Sequence, residues 1–165
     1  MSRHRSTTRR RLLTVSGLGV VSTLSGCAGV GGKESPAYED GTAEDVDGDD
    51  RTPEEMTAAE ALAEQEIHES VTPLEALTIV DHEFVLEDGF NGPTVQGTVE
   101  NTGDDRIQFV ELRVRLYDAD DAQLGRYLDT TGDLEGSDEW SFEVILLESP
   151  ADIASYDVTV LGTPT

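Results

Sequence analysis

Val110-Glu111-Leu112-Arg113-Val114-Arg115-Leu116 decides the fold. Apolar residues alternate with charged ones at a period of two, which is the spacing of a strand with one buried face. The same pattern recurs downstream. Trp140, Phe142 and Val144 alternate with Ser141 and Glu143, and Tyr156, Val158 and Val160 alternate with Asp157 and Thr159. Upstream, Val95 and Val99 flank Gly97, which predicts a strand with a bulge or a close backbone approach at the glycine. Leu77–Leu86 and Gln123–Leu128 supply two more strands. Turn chemistry separates them: Asp88-Gly89, Asn91-Gly92-Pro93, Asn101-Thr102-Gly103-Asp104, Asp118-Ala119-Asp120-Asp121, Gly132-Asp133, Glu135-Gly136-Ser137-Asp138 and Ser149-Pro150. Six or seven short strands over residues 74–162 predict an all-β domain, an antiparallel β-sandwich. The chain has a single Cys, so no internal disulfide bridges the sheets and the core holds them alone.

Working back from the sandwich, residues 52–72 read as a marginal acidic helix and linker. Thr52 suits the N-cap, Pro53 the first helical position, and Glu55 completes a capping box. Met56, Ala59, Ala63 and Ile67 form a weak stripe, with Leu62 off it. Residues 27–51 are rich in Gly, Pro and acids and poor in large apolar side chains, which predicts a disordered acidic tether. A flexible chain from Cys27 to Pro73 spans roughly 35–40 Å r.m.s., enough to hold the domain away from an anchor.

Residues 1–26 carry Arg3, Arg5, Arg9, Arg10 and Arg11 and no acid. A basic start and a short apolar run, Leu12 to Leu24, read as an export signal. At about thirteen residues the run is too short for the roughly 20 that span a bilayer. Thr8-Arg9-Arg10-Arg11-Leu12-Leu13 resembles the twin-arginine signal, with Arg9 and Arg10 as its pair, and Leu24-Ser25-Gly26-Cys27 resembles a lipobox. The lipobox implies a lipid on the Cys27 thiol and a stable two-chain anchor. The expected address is the outer face of the cell membrane.

The whole chain holds 35 Asp+Glu against 11 Lys+Arg. Five of the basic residues lie in 1–26, so residues 27–165 carry 6 − 35 = −29. Nothing in that balance neutralises phosphates, which excludes a nucleic-acid partner. An acidic surface with one Lys resembles that of proteins from halophilic archaea. Such a charge repels itself at low ionic strength. In molar salt, where the Debye length is about 3 Å, the repulsion is nearly erased. The domain is therefore expected to fold in molar salt. A full β circular-dichroism signature with a cooperative melt at ~0.05 M salt contradicts this.

Val114-Arg115-Leu116-Tyr117-Asp118, with Ala119-Asp120 and Gln123-Leu124-Gly125 following, resembles the FxLYD domain. Gly97-Thr98-Val99-Glu100-Asn101-Thr102-Gly103 resembles its upstream strand and turn, and Leu134 through Phe142 its loop and aromatic strand. The resemblance runs from about Leu77 to Leu161 and departs where Val114 replaces the name-giving Phe. It implies an immunoglobulin-like sandwich carried by exported proteins, often lipoproteins, with no catalytic residues to carry over. Val114, Leu116, Tyr117 and Asp118 are then structural.

The remaining constellations point to no chemistry. His68 and His82 have no second His or Cys at ligand spacing, so both read as exposed or structural. Asp118, Asp120 and Asp121 lack the glycine and glutamate of a calcium loop and read as a β-turn. No Gly-x-Ser-x-Gly elbow, phosphate loop or Cys/His pair occurs. The expectation is a non-enzymatic module without cofactor or metal. It acts at the cell surface on a protein or glycan partner, or serves as an accessory or sensor subunit of a membrane complex.

Overall fold

The computed structural model describes residues 35–44 and 46–163. Its elements are β1 (Glu39–Thr42), α1 (Pro53–Ala63), β2 (Leu77–Leu86), β3 (Pro93–Asn101), β4 (Ile107–Tyr117), β5 (Gln123–Leu134), β6 (Glu139–Ile145) and β7 (Ser155–Thr163). A single 3₁₀ turn at Pro150–Asp152 precedes β7. Two antiparallel sheets, β1-β7-β4-β5 and β2-β3-β6, form a sandwich. All six strands expected in residues 74–162 are present. Counted from β2, strands one, two and five share a sheet and strands three, four and six share the other, the Greek-key distribution of immunoglobulin-type sandwiches. β1 comes first in the chain and pairs with β7 where the last strand of such a sandwich would sit.

The core is the inner side of the alternation. Val110, Leu112, Val114 and Leu116 from β4 are fully buried against Val95, Val99, Phe142 and Val144 of the other sheet. Gly97 sits where the backbone comes close. A Cβ there would lie 2.2 Å from the Asp81 carbonyl oxygen and 2.7 Å from Phe142 Cζ. The register slips opposite it, between Ile79 and Asp81, leaving Val80 as an exposed extra residue. Asn101 ends β3 with its side chain buried. Its Nδ2 donates to the carbonyls of Asp105, Leu134 and Glu135, and its Oδ1 accepts from the Gly103 amide.

Two expectations need correction. The segment 27–51 is not a disordered tether over its described part. Its described residues, 35–44 and 46–51, are held to the sandwich by the β1–β7 pairing and by Arg51. The helix also stops at Ala63, short of Ile67 in the expected stripe, and 64–72 runs on without regular structure, turning at Glu69–Ser70 before Thr72 meets β7. The capping box forms as expected, with the Glu55 amide donating to Thr52 Oγ1 and the Thr52 amide to Glu55 Oε2. At the other end Glu60 and Glu64 face the negative pole of the helix with no basic residue to offset them, so propagation fails there.

Together the described residues between 35 and 73 make one circuit of the domain. Thr159 Oγ1 donates to the Ala37 carbonyl and β1 follows along β7. The chain then passes Leu86 at Gly48 and reaches the β2–β3 turn and the end of β6 through Arg51. Next, α1 packs on β6, Gln65 meets Thr130 of β5, and His68 meets Glu111 of β4. The circuit closes at β7, where Thr72 and Gly162 exchange two backbone hydrogen bonds of 2.9 Å. Its apolar content is small, which is why composition alone reads it as unstructured. Backbone pairing and polar side chains hold it instead.

This belt reverses the exposure of the charged positions on β4 and β7. Glu111, Asp157 and Thr159 fall on the outward side of the alternation yet are buried beneath it. Glu111 accepts from the Arg113 guanidinium and from the His68 amide at 2.8 Å.

Candidate functional site

Arg9, Arg10 and Cys27 lie outside the described residues. The residues that carry the FxLYD resemblance are placed as follows. Val114 and Leu116 are core, and Tyr117 donates its hydroxyl to Asp157, which also holds Arg115 through two hydrogen bonds. The Arg115 guanidinium lies 3.6 Å from the Tyr38 ring centroid, clamping the start of the belt. Asp118 Oδ1 accepts from the amides of Asp120 and Ala122, an Asx-type turn that places Asp121 at φ 62°. Among the described residues no group of three or more His, Cys, Asp or Glu is placed to hold a metal.

A cleft of about 830 Å³ opens where the edges of the two sheets face each other. β1 supplies Asp40, Gly41 and Thr42, with Glu44 just beyond it. β2 supplies His82, Glu83, Phe84, Val85 and Leu86, and Tyr156 of β7 forms the floor. Gly41 makes this possible. A Cβ there would fall 2.2 Å from Tyr156 Cζ, so only glycine lets the ring pass beneath β1. The ring reaches across to β2, where the Tyr156 hydroxyl and His82 Nδ1 share a hydrogen bond of 2.8 Å. The two rings stand edge to face at 5.5 Å. On its other side His82 Nε2 lies 3.9 Å from Glu39 Oε2.

The sequence reading left His82 as exposed or structural; the structure places it half-buried beside Tyr156, a pairing that reading did not bring out. The two are 74 residues apart and on different sheets. The one legible sign was parity: His82 shares a face of β2 with Phe84 and Leu86, and the bulge at Val80 brings that face into phase with Leu77 and Ile79.

Burial and then the Glu83 carboxylate push the Tyr156 phenol up to about 12. Burial and then Glu148 do the same for Tyr127, also to about 12. In the unfolded chain these phenols ionise near 10. Between those values the folded state keeps protons the unfolded state has lost. The contribution is complete below about pH 10 and is lost as pH rises to about 12. Thermal melts across that window are expected to show a steady fall. Tyr156→Phe should cost about 1 kcal/mol at neutral pH through the lost hydrogen bond and flatten the alkaline fall. An unchanged alkaline slope in that variant would show that Tyr156 is not the group responsible.

A second hollow, of about 570 Å³, lies among Asp47, Asp49, Asp50, Glu55 and Glu87, and Arg51 lines it. The Arg51 guanidinium is committed to the carbonyls of Phe90, Asn91 and Leu146.

No family model matches this chain. An uncharacterized protein of Methanocaldococcus jannaschii is 31% identical over 84 residues, which is 50% of this chain and 62% of that protein. The chain thus spans under two thirds of that relative. Among solved structures, a DUF1425 family member from Shewanella sp. pv-4 is similar at a TM-score of 0.39 and 12% identity, over 58% of this chain and 92% of that one.

Proposed function

We propose that this protein is a lipid-anchored module of the outer cell surface that acts by binding rather than by turnover. The observation that carries the reading is the order Arg9-Arg10, apolar run, Leu24-Ser25-Gly26-Cys27 at the head of a chain whose remainder is strongly acidic. The FxLYD-like segments in residues 77–161 support it, because the resemblance implies exported, often lipidated proteins. The edge-to-edge cleft supports binding as the mode of action.

The belt changes what the anchor can do. Only the eight Cα steps from Cys27 to Ser35 separate the lipidated residue from the first described residue, a reach of at most ~28 Å. A long tether would let the domain search far from the membrane. This one keeps it close, which favours a partner that is itself at or in the membrane over a distant glycan layer. The accessory-subunit reading therefore ranks ahead of glycan binding.

Cys27→Ser tests the anchor. The variant should be exported without lipid, or left uncleaved, and should leave the membrane fraction. Mass spectrometry of the wild-type N-terminal peptide should find a lipidated Cys27. A Cys27→Ser protein that still fractionates with membranes at normal mature size contradicts the anchor.

A further inference from the structure

We infer that the cleft between β1 and β2 receives an extended, basic segment of a partner protein as an added strand. The argument starts from which backbone groups face it. The Glu87 amide donates to the Gly92 carbonyl, and Val85 is the register partner of Thr94. In an antiparallel ladder, the pairs that exchange hydrogen bonds recur every second residue. Val85, Glu83 and Asp81 therefore turn their amides and carbonyls to β3. His82, Phe84 and Leu86 turn theirs the other way, into the cleft. On β1 the same count begins from the Ala43 amide, which donates to the Ala154 carbonyl. Gly41 and Glu39 then face β7, while Asp40 and Thr42 face the cleft. Two strand edges thus present their pairing groups toward one another across a single space.

The opposite margin of the sandwich is occupied by the molecule itself. The Glu143 amide of β6 donates to the Asp129 carboxylate of β5, Thr130 meets Gln65, and α1 packs on β6. The belt covers the outer face of β4 and β7. The β1–β2 margin is different: the belt supplies one wall of the gap, and no other described residue fills it. Exposed edges invite strand pairing, and proteins that bind peptides by β-augmentation use them in this way.

The chemistry of the occupant follows from the walls. Asp40, Glu44 and Glu83 line the cleft, Glu39 lies beside His82, and no Lys or Arg is among the lining residues. A segment with Lys or Arg at alternate positions meets these carboxylates. Its other side chains face Phe84 and Leu86. The Tyr156–His82 hydrogen bond keeps the floor closed beneath it.

The inference rests on the binding-module reading and not on the anchor. The test uses the full chain at the lowest salt in which it stays folded, where charge selectivity is least screened, with a decapeptide of alternating Lys and Val. Its Glu/Val counterpart and a Lys/Val peptide with alternate amides N-methylated serve as controls. The readout is amide hydrogen exchange. The Lys/Val peptide should slow exchange at His82, Phe84 and Leu86 by about tenfold or more, and neither control should. Glu44→Lys combined with Glu83→Lys, both exposed positions, should weaken binding about tenfold without lowering the melting temperature. Protection elsewhere, no protection, or equal binding of the N-methylated peptide overturns the inference. A stoichiometric cell-surface partner whose crosslinks fall away from the cleft ends the cleft assignment alone and leaves the binding reading standing.

Discussion

Arg113→Leu is expected to lower the unfolding free energy by about 3–5 kcal/mol. Glu111 has no exposed side-chain surface, and among the described residues Arg113 is its only cationic partner. Removing the guanidinium leaves a desolvated carboxylate held by one remaining donor, the His68 amide. Such a group costs far more unpaired than the pair contributes when intact. Glu111→Gln in the same background should therefore recover much of the loss, because a neutral amide still accepts from His68. Chemical denaturation of the two single variants and the double variant in molar salt measures this coupling. Simple additivity of the two losses would show that the buried pair is not a unit.

Arg51→Ala should cost about 3 kcal/mol. A surface arginine in a disordered segment would cost nothing measurable, so this variant separates the belt from a free tether. Arg51 donates to the carbonyls of Phe90, Asn91 and Leu146 and so ties residue 51 to two loops at one end of the sandwich. Gly92, at φ 55°, makes room for it, since a Cβ there would fall 2.8 Å from the guanidinium. Lys has no planar fork to reach three carbonyls, so Arg51→Lys should recover less than half of the loss. Proteolysis should also move in Arg51→Ala, with new cleavage between residues 43 and 52. A wild-type melt and an unchanged cleavage pattern would return this segment to the tether reading.

The strands were legible because a buried core imposes period two on side chains. Val110 to Leu116, Trp140 to Val144 and Tyr156 to Val160 all display it, and Gly97 marked its own close contact. The belt was not legible for the converse reason. Its order comes from backbone pairing at β7, from one arginine and from polar contacts, and none of these leaves an apolar pattern. For the same reason nothing in the alternation signals that Glu111, Asp157 and Thr159 are buried. The capping box at Thr52 and Glu55 was legible because it is local, while the end of the helix at Ala63 depended on accumulated acids with no opposing base. The cleft was illegible because it is built from edges, β1 and β2, that only the topology brings together. His82 and Tyr156 became a pair through the bulge at Val80 and the absence of a side chain at Gly41.

The central claim is that an anchored sandwich works by holding a partner near the membrane. Crosslinking in intact cells at growth-level salt, followed by pull-down and mass spectrometry, tests it most directly when wild type is compared with Cys27→Ser. The account predicts a stoichiometric membrane partner that is captured with the wild type, lost in Cys27→Ser, and crosslinked to residues beside the β1–β2 cleft. Equal recovery of the same proteins with both forms, or no specific partner beside a lipidated Cys27, would contradict it.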